Sequence, residues 1–247
     1  MDDENLYERI QGIFGHFPGN LSILEEQIDI ELQMEYFEFS RDFKKSNISE
    51  NIPAIRNDLY NDGHSLAGKK KLLVQLASVE EVEAYRTIEK YLDKPDAELR
   101  DWAILAFQES RMLLQSKLLD ENQVFISTGL GGKGFKLRYF VVLVNNFDKT
   151  YDTFQQKLIK DEFEFFLKKH DAELEQLSFR ESYCSLLAIV PINASIRDIF
   201  KSAIAECNEY GDFIKPNFIV TNVKKLSIEE IREFLRKQED PGNFRSQ

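Results

Sequence analysis

The residues best suited to chemistry lie in one short run, STGLGGKGFKLRYFVV at 127–142, where Gly129, Gly131, Gly132 and Gly134 surround Lys133, and Lys136 and Arg138 follow. Backbone amides unencumbered by side chains, with fixed positive charge beside them, can form a concavity for an anion, so these seven are the candidate ligand-binding residues. Gly129, Gly131 and Gly134 also spell G-x-G-x-x-G. That pattern holds a dinucleotide only where it ends a strand and opens a helix, because the helix N-terminus supplies the amides and the dipole. Here β-branched and aromatic sequence lies on both sides, so the glycines join two strands. A phosphate-binding P-loop fails as well, since Ser127 stands at the first glycine position and Gly134 follows Lys133 where Ser or Thr is required. The plain reading is a flexible hairpin tip, although four glycines exceed what a two-residue turn needs.

Other reactive residues form no constellation. His16, His64 and His170 are scattered without ligand spacing, and Cys184 and Cys207 offer neither a disulfide framework nor a metal set. Cys207 falls on an apolar helix face and Cys184 in a strongly apolar strand, as expected of core thiols. Ser182, Cys184 and Ser185 have no histidine beside them to activate a nucleophile. No catalytic residue, no metal and no cofactor is expected, and the balance leans away from an enzyme.

Charge narrows the partners. The net charge of −11 is concentrated at the start: residues 1–60 hold 13 acids and 5 bases, whereas residues 121–180 hold 9 of each. Such a surface repels phosphate backbones and anionic membranes at long range. With no stretch near eighteen apolar residues and an acidic, mixed N-terminus, the expectation is a cytoplasmic chain whose partner is a protein, with no DNA and no membrane.

The elements that must position these residues change character midway. Residues 21–43 carry apolar positions at helical spacing after a Ser22/Glu25 capping box, and a short helix is expected around 54–59. Residues 66–77 form a helix. Ser78 with Glu81 opens another, and Asp96 caps a third whose inward face holds Leu99, Trp102, Ala103 and Ala106. Asp93, Pro95, Asp96, Leu99, Arg100 and Ala103 carry a D-x-P-D turn and an L-R-x-x-A helix start, and in these the region 64–118 resembles a HEAT-type helical repeat. That resemblance implies an interaction scaffold rather than a reaction.

After residue 120 the period shortens. Strands are expected at 122–128, 135–146, 172–180, 182–192 and 217–225, the first forming a hairpin onto the second through the glycine loop. Helices are marked by Phe154, Ile159, Phe163 and Leu167, by Ile196, Ile199, Phe200, Ala203, Ile204 and Cys207, and by an opening at Ser227/Glu230. From Lys136 the order is β-α-β-β-α-β, which resembles the ferredoxin-like fold. The fold class expected is therefore α+β, with an all-helical domain at 1–119 and a sheet domain at 120–247.

RNA-recognition domains share that strand order, and Lys133, Gly134, Phe135 and Phe140 match part of their aromatic signature. The match falls on the first strand of the repeat instead of the third, which disfavours it. The leading expectation is thus a non-enzymatic protein–protein interaction or adaptor protein. An anion or phosphometabolite site at the glycine hairpin is the alternative, and RNA binding is a weaker one.

Overall fold

The computed structural model describes residues 21–45, 52–61, 63–121 and 123–239. They form two compact units that divide between Ser127 and Thr128. The fold is α+β.

The first unit contains β1 (Leu21–Ile23), α1 (Ile30–Phe43), α2 (Ile52–Leu59), α3 (Leu66–Ala77), α4 (Val82–Leu92), α5 (Arg100–Leu119) and β2 (Val124–Ile126). The helix expected from Ser22 begins only at Ile30. The Asp29 carboxylate accepts the amides of Glu31 at 2.8 Å and Leu32 at 3.3 Å, and so caps α1 there. The residues before the cap are drawn into a parallel pair, Leu21 opposite Val124 and Ile23 opposite Ile126. The unit is therefore not all-helical, and the strand expected at 122–128 pairs with β1 instead of forming a hairpin onto the following strand. Tyr36, Leu59, Leu73, Leu76, Ile88 and Trp102 are buried in its core, with the Tyr36 and Trp102 rings 5.0 Å apart edge to face.

Two expected caps are spent differently. Ser78 donates its hydroxyl to the Val74 carbonyl at 2.8 Å, ending α3, and α4 starts without a side-chain cap. Asp96 makes no cap bond either; its carboxylate accepts from the buried Lys69 ammonium at 2.8 Å and from the Tyr91 hydroxyl at 2.6 Å. The Lys69 hydrogen bond holds Asp96 below the usual carboxylate range. A second tie joins α1 to α5. Glu109 accepts from the Tyr36 hydroxyl at 2.5 Å, from the Ser40 hydroxyl at 2.7 Å and from the Lys44 ammonium at 2.6 Å.

The second unit contains β3 (Gly132–Lys133), β4 (Lys136–Val144), α6 (Thr153–Lys169), β5 (Glu173–Arg180), β6 (Tyr183–Pro191), α7 (Ile196–Asn208), β7 (Ile219–Thr221) and α8 (Ile228–Glu239). All its strand pairs are antiparallel: β6 lies between β4 and β5, while β3 and β7 share the other edge of β4. The apolar run of β6 is central because both its faces are covered. Cys184, Leu186, Ala188 and Val190 pack in one cluster with Phe163, Phe200 and Ile204 from α6 and α7. Tyr183 and Leu187 pack in another with Phe140, Val142 and Ile231 of α8. Cys184 and Cys207 are both buried, and desolvation pushes both thiols up, Cys207 to about 12. The α8 capping box forms as expected, the Glu230 carboxylate accepting from the Ser227 amide at 2.8 Å and the Ser227 hydroxyl from the Glu230 amide at 3.2 Å.

Candidate functional site

The glycine run is three structures in sequence. Gly129 passes so close to the chain after β7 that an added Cβ would lie 1.7 Å from the Val223 carbonyl oxygen, and the next amide, Leu130, donates to Asn222 at 3.0 Å. No side chain fits there, so Gly129 serves close packing of backbone on backbone. Gly131 has a φ of 67°, and its carbonyl accepts from the Arg138 amide at 3.0 Å. Gly132 and Lys133 pair with Leu137 and Lys136, which leaves Gly134 and Phe135 as the turn. Gly134 has a φ of 59°, as the first residue of a tight hairpin turn of the II′ kind requires. The extra hairpin strand is therefore β3, a two-residue strand inside the glycine run.

The turn borders an open cleft of about 520 Å³, lined by Lys133, Phe135, Lys136, Glu173, Pro191 and Ile192 among others. Phe135 lines it and is 54% exposed. Lys133 and Lys136 are brought together here, but Arg138 is not among the lining residues. Arg138 is committed elsewhere: its guanidinium donates to Glu175 at 2.5 and 3.1 Å and to the Leu130 carbonyl at 2.7 Å. Lys136 is held by Asp171 at 3.0 Å, while Glu173 lies 3.7 Å from Lys133 and 3.8 Å from Lys136.

Sequence reasoning missed these acids. Lys136 and Arg138 are two apart on β4, as Glu173 and Glu175 are on β5. The register sets Arg138 and Glu173 opposite the same β6 residue, Ile189. Matching i, i+2 spacing of opposite charges on strands one apart is a signal that could have found them.

This geometry corrects the anion reading. The three cations do not converge on one anion; each meets a carboxylate of the β5 region, and the rim is close to charge-balanced. It also corrects the RNA reading, since Phe140 is 8% exposed and packs in the cluster that holds Ile231, so only Phe135 of the two matching aromatics is displayed.

Among the described residues, no group of three His, Cys, Asp or Glu could hold a metal ion, and no helix is long and apolar enough to cross a membrane. His16 lies outside the described residues, and His64 faces Asp58 at 3.5 Å.

No protein-family model matches the chain, so the resemblance of 64–118 to a HEAT-type repeat gains no support from one. No curated protein matches it in sequence. Similar solved structures include a crystal structure described provisionally as a transposase from Deinococcus radiodurans R1, with a TM-score of 0.37 and 19% identity over 43% of this chain and 94% of that one. A REP-associated tyrosine transposase bound to a REP hairpin gives a TM-score of 0.31 and 8% identity over 42% of this chain and 65% of that one. Likeness at this level assigns no activity to the chain. Both neighbours nevertheless carry a transposase description, the first provisionally. The expectations of a non-enzymatic protein–protein interaction adaptor, and of a protein partner with no DNA, stand contradicted by them and are withdrawn.

Proposed function

We propose that the cleft beside the β3–β4 turn contacts single-stranded DNA, seating one unstacked base against Phe135. The observation that supports it is a large aromatic ring held out at the rim of a cleft floored by Pro191 and Ile192, with an exposed ammonium, Lys133, beside it. A base stacked on an aromatic side chain contributes about 1–3 kcal/mol irrespective of sequence. DNA is taken as the nucleic acid because transposases, the class of both structural neighbours, act on DNA.

The lysines are available in part. Exposed ion pairs contribute about 0–1 kcal/mol, so Lys133 can exchange Glu173 for a phosphate at little cost. Lys136 is tied to Asp171, and Arg138 to Glu175. Binding therefore neutralises one or two phosphates, and its salt dependence is shallow, with a slope of log affinity on log salt near −0.7 to −1.4. The contact is local, because the chain as a whole is acidic. A cytoplasmic location suits this reading.

Fluorescence anisotropy of a labelled single-stranded 12-mer, titrated with the full chain at two salt concentrations, tests it. Phe135→Ala is expected to weaken binding about tenfold, and Lys133→Ala to flatten the salt slope by about 0.7. Affinity unchanged in Phe135→Ala, or no binding by the parent chain, sinks the proposal.

A further inference from the structure

We infer that the cleft prefers guanine among the bases, with Glu173 as the residue that reads it; this rests on the DNA-binding reading above.

The three carboxylates near the turn are in different states. Glu175 is engaged by two nitrogens of Arg138, at 2.5 and 3.1 Å. Asp171 is in hydrogen-bond range of Lys136, at 3.0 Å. Glu173 lines the cleft with one oxygen 3.7 Å from the Lys133 ammonium and the other 3.8 Å from Lys136. Those separations are short enough for charge attraction and too long for hydrogen bonds. Two cations thus flank the carboxylate without occupying its lone pairs. The side chain is about half exposed, at 52%, so a ligand can reach it.

An ionised carboxylate with both oxygens open accepts best from two adjacent N–H donors. Guanine alone of the four DNA bases presents such a pair, N1–H and the N2 amine side by side. Thymine offers one N3–H; adenine and cytosine offer one amino group beside a ring acceptor. The guanine O6, an acceptor next to N1–H, then meets an ammonium, as the thymine O4 beside N3–H also can, so the N2 amine is what sets guanine apart. The Lys133–Glu173–Lys136 cluster is in this way complementary to the guanine edge, while Phe135 takes the face of any base.

The test uses the full chain and labelled dT11 with one central nucleotide changed to dG, deoxyinosine, dA or dC. The dG strand is expected to bind about fivefold more tightly than dT, near the lower end for a bidentate base contact because the site is open. Deoxyinosine, which lacks the N2 amine but keeps N1–H beside O6, should fall to the level of dT. In Glu173→Gln the dG-to-dT affinity ratio should drop to about one, whatever the absolute affinities become. Equal binding of all strands overturns the guanine preference and leaves the DNA reading standing. A dG preference that persists in Glu173→Gln overturns the assignment to Glu173. Absence of binding to every strand overturns the DNA reading itself, and this inference with it.

Discussion

Two polar clusters of similar composition behave in opposite ways. In the helical unit, Glu109 receives Tyr36, Ser40 and Lys44 at 2.5–2.9 Å, and Lys69, buried, meets Asp96 at 2.8 Å. In the sheet unit, Glu173 stands 3.7–3.8 Å from two lysines on an open rim. The first kind of cluster is saturated: every donor has its acceptor at hydrogen-bond distance, and what it does is lock helix to helix. The second, balanced in charge once Asp171 is counted, leaves the Glu173 oxygens beyond hydrogen-bond range of both lysines, and what it can do is receive a ligand. Burial therefore separates the two roles better than residue type does, because only a buried polar group must be fully paired by the protein itself.

The largest expected effect is at the saturated end. Glu109→Ala leaves the buried Tyr36 hydroxyl without its acceptor and should cost about 3 kcal/mol, read from urea unfolding followed by Trp102 fluorescence. A loss below about 0.5 kcal/mol would show the cluster to be ornamental and break the contrast.

Lys69→Met comes next, at about 1–2 kcal/mol, since it leaves the Asp96 carboxylate without its cation and with the Tyr91 hydroxyl as its remaining side-chain donor. Its sign with pH is fixed. The folded Asp96 pKa is depressed, so its contribution is present above the unfolded value of about 3.9 and is lost as pH falls through the folded one. The stability gap between parent and variant should shrink in acid below about pH 4; a gap that widens would count against the Lys69 pairing.

Smallest is Glu173→Gln, which should change stability by less than about 0.5 kcal/mol, as expected of exposed pairs. A large loss there would make the cleft another structural tie.

The sequence announced the fold more clearly than the site. Helix α3 was legible to the residue, from Leu66 to Ala77, and the structure adds its cap, the Ser65 hydroxyl accepting from the Gly68 amide at 3.1 Å. The strand order after Lys136 followed from alternating apolar runs and helical segments of ordinary length. Where reading failed, a longer-range partner outbid a local signal. Leu21–Ile23 left a helical pattern to pair with β2, some hundred residues on, and Asp96 gave up a cap for Lys69. The glycines were legible as a group but not individually. Gly129 answers to Val223, which no local pattern reveals, whereas Gly134 answers to its own turn. The acids of β5 were invisible for the same reason: their meaning depends on lying across β6 from Lys136 and Arg138.

The distribution of Trp102, Cys184 and Cys207 makes each unit its own reporter. The lone tryptophan packs against Tyr36 in the helical unit, and both thiols are sealed in the core of the sheet unit. Indole emission thus registers melting of one unit only, and thiol alkylation, silent until the other opens, registers its partner. The order in which the two halves come apart can be read in a single tube without attaching any label.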